Sequence, residues 1–255
     1  MDLPPGPAPS SAFPPTRHSV LAALSSPDEA ERTRAYDTLV AAYWKPAYKY
    51  ARLKWRLNAD DAADGVQEFF SRAWLKGVLE RFDPARARFR TYLRLCLDGF
   101  LSNERKAAGR LKRGGGATLE SLDFVGADGE LRERPLADGA HPESLFHDEW
   151  VPQVLALSLD DLAAECAAEG KGTQLAIFRA YDVDADETSG RPTYDALAER
   201  HGLPVTQVTN FLSWARRRFR AHVLERLRGL SATDAEYRAD VRELLGIDPP
   251  EAPPR

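Results

Sequence analysis

Residues 192–228 read PTYDALAERHGLPVTQVTNFLSWARRRFRAHVLERLR, a pattern typical of two helices joined by a tight turn. Thr193 is a suitable N-cap for the first helix, because its hydroxyl can accept a hydrogen bond from a free backbone N–H. Gly202 lies where the chain must turn sharply, and we expect it to have a positive φ. Pro204 lies at or beside the start of the second helix, where its missing N–H costs nothing. The stretch therefore predicts a helix-turn-helix.

The second of these helices has an apolar face and a polar face. Apolar residues at helical spacing predict the buried face: Val208, Leu212, Ala215, Phe219 and Val223. Short polar side chains near the N-terminus of such a helix can reach base edges in the major groove, and arginines behind them can bind phosphates. The residues predicted to contact DNA are Thr206, Gln207, Thr209, Asn210, Ser213, Arg216, Arg217 and Arg220. The alternative is an ordinary helical hairpin with a solvated basic face.

The composition of the whole chain is that of a globular protein. Its 255 residues are enough for one or two domains with their own cores, and 43% of them are hydrophobic. No apolar run approaches the length of a membrane span. The first residues, MDLPPGPAPSSAFPP, lack the basic start and apolar stretch of a signal peptide. We therefore expect a cytoplasmic protein that does not bind a membrane.

The sequence lacks the patterns of an enzyme or a metal site. Cys96 and Cys166 lie far apart in helical patterns, so we expect two buried free thiols. No phosphate-binding glycine loop and no nucleophile-base arrangement is evident. The five histidines show no paired metal-ligand spacing: they are His18, His141, His147, His201 and His222. We therefore expect no enzymatic activity, no cofactor and no metal.

Charge is sorted into blocks along the chain, although the net charge is only −4. Residues 81–113 contain ten Arg or Lys and three Asp or Glu, and residues 210–228 contain six arginines and one glutamate. Residues 119–170, between these blocks, contain thirteen acidic and two basic residues. This arrangement indicates two nucleic-acid contacts separated by a segment that stays off DNA. Chance grouping of charges on solvated surfaces is the alternative.

We expect an all-α protein of two small helical domains joined by a flexible linker. Proline is frequent before residue 16, which leaves little to bury there, and Gly114 begins a glycine-rich stretch. Thr233 and Glu236 form a capping box at the start of a last helix over 234–245. The expected boundaries are 1–18 for a disordered proline-rich tail, 19–113 for the first domain, 114–148 for an acidic, glycine-rich linker, 149–229 for the second domain, and 230–255 for a C-terminal helix and tail.

The first domain contains a helix with one continuous polar stripe. The segment NADDAADGVQEFFSRAWLKG begins at Asn58, a suitable N-cap. Its expected buried residues are Val66, Phe69, Phe70 and Ala73. Four polar residues at spacings i, i+3, i+4 and i+7 share another face: Asp64, Gln67, Glu68 and Ser71. In most proteins a solvated surface is enough to explain such a stripe.

A second informative segment combines aromatic and basic residues. FDPARARFRTYLRLCLDGFLSNERKAAGRLKRGGG begins at Phe82 and predicts an arginine-rich loop followed by a helix. Aromatic rings alternating with cations are used to stack unpaired bases and to follow a phosphate backbone. The side chains expected to face outward are Arg90, Tyr92, Arg94, Asn103, Lys106 and Arg110. Amphipathic basic helices are common, so this pattern alone is weak evidence.

Taken together and in this order, the segments resemble bacterial sigma factors of the sigma-70 superfamily, in the compact two-domain form called extracytoplasmic-function sigma factors. The resemblance covers about residues 30–113 and 150–228, and it implies sigma region 2 and sigma region 4 domains. The segment from Asn58 to Phe70 resembles the region whose polar face docks on the β′ clamp helices of RNA polymerase. By this resemblance the polymerase-binding residues are Asp64, Gln67, Glu68 and Ser71.

The two basic segments also have counterparts in that family. Residues 89–93, continuing to Asn103 and the basic tail, resemble the regions that open the −10 element and hold flipped bases of the non-template strand. Residues 192–228 resemble the region that reads the −35 element in the major groove. The helix over 234–245 lies beyond the usual end of the family. Its role is open between packing on the second domain and binding a partner.

The resemblance implies a sigma factor that binds core RNA polymerase, recognises the −10 and −35 promoter elements and helps to open the duplex. Its expected partners are core RNA polymerase, through the β′ clamp helices and the β flap, promoter DNA, and in some members of the family an anti-sigma factor. The alternative is a helix-turn-helix regulator that binds duplex DNA without polymerase. That alternative accounts for 192–228 but leaves 64–70 and 89–113 unexplained.

Overall fold

The protein is described by a computed structural model that covers residues 19–108, 122–133, 142–185 and 190–249. All regular elements in these ranges are helical, so the predicted all-α class is confirmed. The expected disordered tail, 1–18, lies outside the described residues. The α-helices are α1 (Val20–Ala23), α2 (Glu29–Lys54), α3 (Ala59–Leu75), α4 (Phe89–Ala108), α5 (Phe124–Glu133), α6 (Pro142–Ala168), α7 (Gly172–Phe178), α8 (Tyr194–His201), α9 (Val205–Leu230) and α10 (Asp234–Leu245), with a 3-10 turn at Leu79–Arg81 and a π-helical turn at Arg179–Val183.

The main core is built around the aromatic face of α2. Tyr43 on α2 is 98% buried, and its ring centroid lies 5.5 Å from that of Phe89 on α4. The same ring stacks on Phe146 and Trp150 of α6 at centroid distances of 6.4 and 6.3 Å. Burying several large rings in contact contributes strongly to stability, because each removes a large apolar area from water. This cluster holds α2, α4 and α6 together.

The same core extends into the C-terminal part of the chain. Val223 and Leu227 from α9, and Tyr237 and Val241 from α10, are buried in the cluster that contains the aromatic residues of α2. The two predicted domains, 19–113 and 149–229, therefore contribute to one shared core. Helix α6 provides most of this connection by packing on α2, and the apolar residues of α9 beyond Phe219 extend it by packing on α6 and α1.

The expectation of a flexible linker over 114–148 is wrong for the parts that the structure describes. Residues 124–133 form α5, and α6 begins at Pro142. The physical reason is charge complementarity with α2, which the linear sequence does not reveal. Lys49 is buried and donates to Glu130 of α5 at 2.8 Å and to Glu149 of α6 at 2.6 Å. These ion pairs hold α5 and α6 against α2. Without such partners, the same acidic residues would favour a solvated segment.

A smaller cluster supports the helix-turn-helix. Ile177 of α7 packs with Leu197 of α8 and Leu212 of α9. A neighbouring cluster joins Cys166 of α6 to Ala215 of α9. The apolar face predicted for α9 is confirmed, since Val208, Leu212, Ala215 and Val223 are buried and Phe219 is partly buried. In the described part of the chain, the helices are too short or too polar to cross a membrane.

Candidate nucleic-acid interface

The turn between α8 and α9 has the local geometry that the sequence predicts. The Thr193 hydroxyl accepts a hydrogen bond from the Ala196 N–H at 3.1 Å and caps α8. Gly202 ends that helix with φ of 63°, a left-handed conformation that favours glycine. The Leu203 N–H then donates to the Ala198 carbonyl at 2.9 Å, and Pro204 directly precedes α9. These contacts fix the angle at which α9 leaves the turn.

The polar face of α9 is directed to solvent. Thr206, Asn210, Ser213, Arg217 and Arg220 are exposed, and their spacings of 4, 3, 4 and 3 residues place them on one stripe. We call these five residues the α9 stripe. Two other predicted contacts lie beside it. Thr209 is exposed, and its hydroxyl donates to the Val205 carbonyl of its own helix at 3.1 Å, whereas Gln207 is half-buried.

The arginines of α9 separate into paired and unpaired groups. Arg216 donates to Asp182 through Nε at 2.7 Å and through Nη2 at 2.9 Å, so this predicted DNA contact is already engaged within the protein. Arg218 donates to Glu165 of α6 at 2.7 Å, and its charge holds the pKa of that carboxyl below the usual value. Arg217 and Arg220, in contrast, form no ion pair among the described residues. Their charges remain available to a ligand.

The expectation that Arg90 faces outward is wrong. Its side chain is almost buried, with 8% of the residue exposed. Nη1 of Arg90 donates to Asp240 of α10 at 2.8 Å, and Nη2 donates to Glu243 at 3.2 Å. The guanidinium also lies 4.8 Å from the ring centroid of Trp150. Burial of this cation is stable because two carboxylates and an aromatic face replace water around it.

Arg94 is also buried rather than outward, with 9% of the residue exposed. Its Nη1 donates to Asp98, one turn further along α4, at 3.1 Å. The Asp98 carboxylate also accepts hydrogen bonds from Tyr50, Lys54 and Trp55, at 3.0, 3.0 and 2.9 Å. Arg94 is therefore part of an internal polar network between α2 and α4. Of the other residues predicted on this face, Asn103 and Lys106 are exposed, and Arg110 lies outside the described residues.

Tyr92, the aromatic residue predicted to stack on a base, is held inside the fold. Its hydroxyl donates to the Val78 carbonyl at 2.6 Å, and its ring lies 5.5 Å from that of Phe82. Burial raises the pKa of Tyr92 to about 12. The residue is half-buried, so the expectation that it faces outward is wrong. The cause is the segment directly after α3, where the Val78 carbonyl lies within reach of the ring hydroxyl.

Tyr92→Phe is expected to lower the free energy of unfolding by about 1 kcal/mol, because the Val78 carbonyl loses the shorter of its two hydrogen bonds and keeps only that from the Arg81 N–H at 3.3 Å. Tyr36→Phe is a matched control, since the buried Tyr36 hydroxyl has no hydrogen-bond partner among the described residues. Removing that hydroxyl should leave stability unchanged or raise it by up to about 1 kcal/mol. Urea unfolding followed by circular dichroism measures both. Equal losses in the two variants would contradict the role given to the Tyr92 hydrogen bond.

The polar stripe of α3 lies outside the core, as predicted. Val66, Phe69 and Phe70 are buried on the opposite side of the helix. Asp64 is exposed, and Gln67, Glu68 and Ser71 are half-buried. Glu68 accepts a hydrogen bond from Arg72, which also donates to Glu104 of α4 at 2.8 Å. Asp64 is thus the charged member of the stripe that makes no ion pair within the described part of the chain, and Gln67 and Ser71 are uncharged.

The sequence analysis did not assign a role to the acidic residues of α10 or to Arg88. Nη1 of Arg88 lies 3.2 Å from Asp240 and 3.3 Å from Glu243. Beside these groups is a cleft of about 400 Å³ lined by Arg88, Arg90, Thr91, Arg94, Ser144, Phe146, His147 and Glu243. Three of the lining residues are arginines, and Glu243 of α10, which also lines the cleft, binds two of them. The signal in the sequence was the spacing of Glu236, Asp240 and Glu243 at i, i+4 and i+7 on a helix with a separate apolar face.

Searches of protein-family models, curated proteins and solved structures found no match to the chain. In the described ranges, no three or more histidine, cysteine, aspartate or glutamate side chains are grouped so that they could hold a metal ion. The α9 stripe offers hydroxyl, amide and guanidinium groups, which can recognise base edges and phosphates of a DNA duplex.

Proposed function

We propose that this protein is a sigma factor of the extracytoplasmic-function type, which binds core RNA polymerase, recognises the −10 and −35 elements and promotes promoter opening. The observation that carries the proposal is the α9 stripe. Its Arg217 and Arg220 are exposed without acidic partners, although Arg216 and Arg218 on either side of Arg217 are both paired. The stripe follows a turn whose geometry matches a helix-turn-helix.

Unpaired cations on one helix face favour a polyanionic partner. On the same helix, Arg218 and Arg226 pair with Glu165 and Asp161 of α6, whereas Arg217 and Arg220 pair with no described acidic residue. The two unpaired arginines follow Thr206, Asn210 and Ser213 along the helix, so base-reading groups precede phosphate-binding groups. In helix-turn-helix proteins the N-terminal residues of the recognition helix contact base edges. The order of residues on the α9 stripe agrees with that arrangement.

Two further features support a sigma factor over a regulator that needs only duplex DNA. The first is the α3 stripe, where Asp64 and Gln67 lie on the side of the helix away from the core. The second is the basic helix α4, whose C-terminal part exposes Asn103 and Lys106. A regulator confined to duplex DNA requires neither surface, whereas a sigma factor requires a contact with polymerase and a contact with the −10 element.

The test of the proposal is assembly with core RNA polymerase. The full chain should co-purify with bacterial core polymerase, and the resulting holoenzyme should select upstream sequences from DNA that is randomised around a transcription start. A helix-turn-helix regulator would instead select duplex DNA without polymerase and would not co-purify with it. Selection of DNA by the chain alone, together with failure to bind core polymerase, would contradict the sigma-factor proposal and favour the regulator.

Within the α9 stripe, Asn210→Ala should change the preferred upstream sequence, and Arg220→Ala should not. Loss of a base contact is expected to cost about 1–3 kcal/mol and to relax preference at one position. Loss of a phosphate contact should weaken all sequences alike and lower the slope of log K against log salt by about 0.9. Both effects are measured on holoenzyme with randomised upstream DNA over a range of salt concentrations.

Arg218→Ala is the matched control for Arg220→Ala, because Arg218 is bound to Glu165 and lies away from the α9 stripe. It removes the same charge from the same helix, so its salt slope should stay near that of the wild type. If Arg218→Ala lowers the slope as much as Arg220→Ala does, the assignment of the DNA-facing side of α9 is wrong.

A further inference from the structure

Helix α10 presents an acidic face to the N-terminal end of α4. Asp240 is buried, with 3% of the residue exposed, and binds both Arg88 and Arg90. Glu243 binds the same two arginines, and the partly buried Glu236 accepts a hydrogen bond from the Phe89 backbone N–H at 3.2 Å. All three carboxylates lie on one face of the helix. We call Glu236, Asp240 and Glu243 the α10 acidic face.

The α10 acidic face binds groups of the kinds that bind phosphates in nucleic-acid complexes. Two guanidinium groups and a free backbone N–H at a helix N-terminus attract anionic oxygens. In this protein, carboxylate oxygens of the α10 acidic face bind both guanidinium groups and the N–H group. Burial raises the pKa of Asp240, and Arg90 opposes this effect by stabilising the charged form. The carboxylates therefore stand where phosphate oxygens of a bound strand would stand.

The attachment of α10 to the rest of the protein differs between its two sides. On the side of α9, Tyr237 and Val241 are buried in the main core, and Arg228 lies 3.7 Å from the ring centroid of Tyr237. On the side of α4, the polar contacts are the ion pairs with Arg88 and Arg90 and the Glu236 hydrogen bond. The ion pairs of the exposed Glu243 weaken with salt and can be replaced by another anion, whereas the buried Asp240–Arg90 pair is screened less and the apolar contacts remain. The polar contacts of α10 with α4 can therefore break while its apolar contacts with α9 stay in place.

We propose that α10 occupies part of the single-stranded DNA site, so that the opened strand and the α10 acidic face compete for Arg88 and Arg90. This inference rests on the proposed function and adds its regulation. The cleft of about 400 Å³ beside Arg88 and Thr91 provides space for part of the strand once Glu243 moves aside. Glu243 is the member of the acidic face that is best placed to move, because it is exposed. In the free protein Arg88 and Arg90 are held by α10, while Asn103 and Lys106 further along α4 are already exposed, and displacement of α10 adds the two arginines to that surface.

The test is the affinity of the full chain for a fluorescently labelled single-stranded DNA oligonucleotide, measured by anisotropy at several salt concentrations. Asp240→Asn with Glu243→Gln should tighten binding by about tenfold at low salt, because two arginines are released to phosphates. Each released cation adds about 0.7 to the magnitude of the salt slope on single strands. The slope should therefore steepen by about 1.4 for the double variant.

A matched control removes two charges from the same region without touching Arg88 or Arg90. Asp234→Asn with Asp248→Asn serves this purpose, since these residues pair with Arg228, Arg238 and Arg242. The control should change affinity by less than about twofold, because Arg228, Arg238 and Arg242 do not line the cleft that would hold the strand. An equal gain in the control, or no gain in the double variant, would overturn the proposal.

A second variant covers the case in which loss of the buried Asp240 charge unfolds the protein. Glu243→Gln changes only an exposed residue. It should tighten binding by about threefold, because it removes one of the two carboxylates that bind Arg88 and Arg90. Adding Arg88→Ala and Arg90→Ala should abolish the gain of either variant. A gain that survives their removal would show that the strand binds elsewhere, and the proposal would then be wrong.

Polymerase binding by the same variants separates this inference from the proposed function. Wild-type protein that binds core polymerase, combined with variants that gain no affinity for single strands, would overturn the competition and leave the sigma-factor proposal standing. A chain that fails to bind core polymerase would contradict the proposed function, while the comparison with the Asp234 and Asp248 control would still decide whether α10 blocks Arg88 and Arg90.

Discussion

Replacing Asp64 and Gln67 by lysine is expected to abolish binding to core RNA polymerase while leaving helix content and melting temperature nearly unchanged. Asp64 is exposed and takes part in no ion pair among the described residues, and Gln67 is uncharged and half-buried at the edge of the same stripe. The fold should therefore tolerate the change. Like charges placed against each other in an interface cost several kcal/mol, so we expect affinity to fall by about a hundredfold or more.

Glu68 is less suitable for this test, although it belongs to the same stripe. Its carboxylate binds Arg72, and Arg72 also binds Glu104 of α4. Lysine at position 68 would place two cations together and disturb the contact between α3 and α4. Loss of polymerase binding in that variant could then come either from the changed surface of α3 or from the disturbed contact between α3 and α4. The Asp64 and Gln67 pair removes this ambiguity, because its members are not needed to hold the two helices together.

Asp160→Lys is the control for the change of charge. Asp160 is an exposed residue of α6, outside the α3 stripe, and its replacement should leave polymerase binding unchanged. Pull-down of core polymerase and native mass measurement of the holoenzyme give the readout, with circular dichroism as the check on folding. A lysine variant of Asp64 and Gln67 that binds core polymerase as well as the wild type does would remove the α3 stripe from the proposal.

Trp150→Ala is expected to destabilise both halves of the protein together, by about 3–5 kcal/mol. Only 1% of Trp150 is exposed, its ring stacks on Tyr43 of α2, and the guanidinium of Arg90 lies over it. Truncation removes the centre of the contact between α2, α4 and α6 and leaves a large cavity. The core also contains Val223 of α9, so unfolding should remain one cooperative transition that involves both halves.

Trp214→Ala provides the matched control. Trp214 is half-buried on α9 and contacts Lys171, whose Nζ lies 4.3 Å from its ring centroid. We expect a smaller loss in the free energy of unfolding. The cation–π contact contributes about 1 kcal/mol, and the apolar area that Trp214 partly buries adds to it. Urea unfolding is followed by far-ultraviolet circular dichroism and by cysteine accessibility of Cys96 and Cys166, which report on the two halves. Separate transitions for the two cysteines in the wild type would contradict a shared core.

Local structure was predictable from the sequence because its causes lie within a few residues. Thr193 and Gly202 define α8 through a hydroxyl cap and a positive φ, and Thr233 caps α10 in the same way. The buried face of α9 follows from apolar residues at a period near 3.6, and the α3 stripe follows from its polar spacing. For the same reason the exposed residues of the α9 stripe were identified correctly as a surface.

Only the tertiary structure decided which charges are free and which are engaged. Arg90 and Arg220 are equivalent in sequence, since each lies in a basic helical segment next to an aromatic residue. Arg90 is buried because Asp240, far away in the chain, is brought to it by the packing of α9 and α10 on the main core. No acidic residue among those described reaches Arg220. Helical periods and caps depend on neighbours along the chain, whereas the pairing of a charge depends on which distant helices share a core.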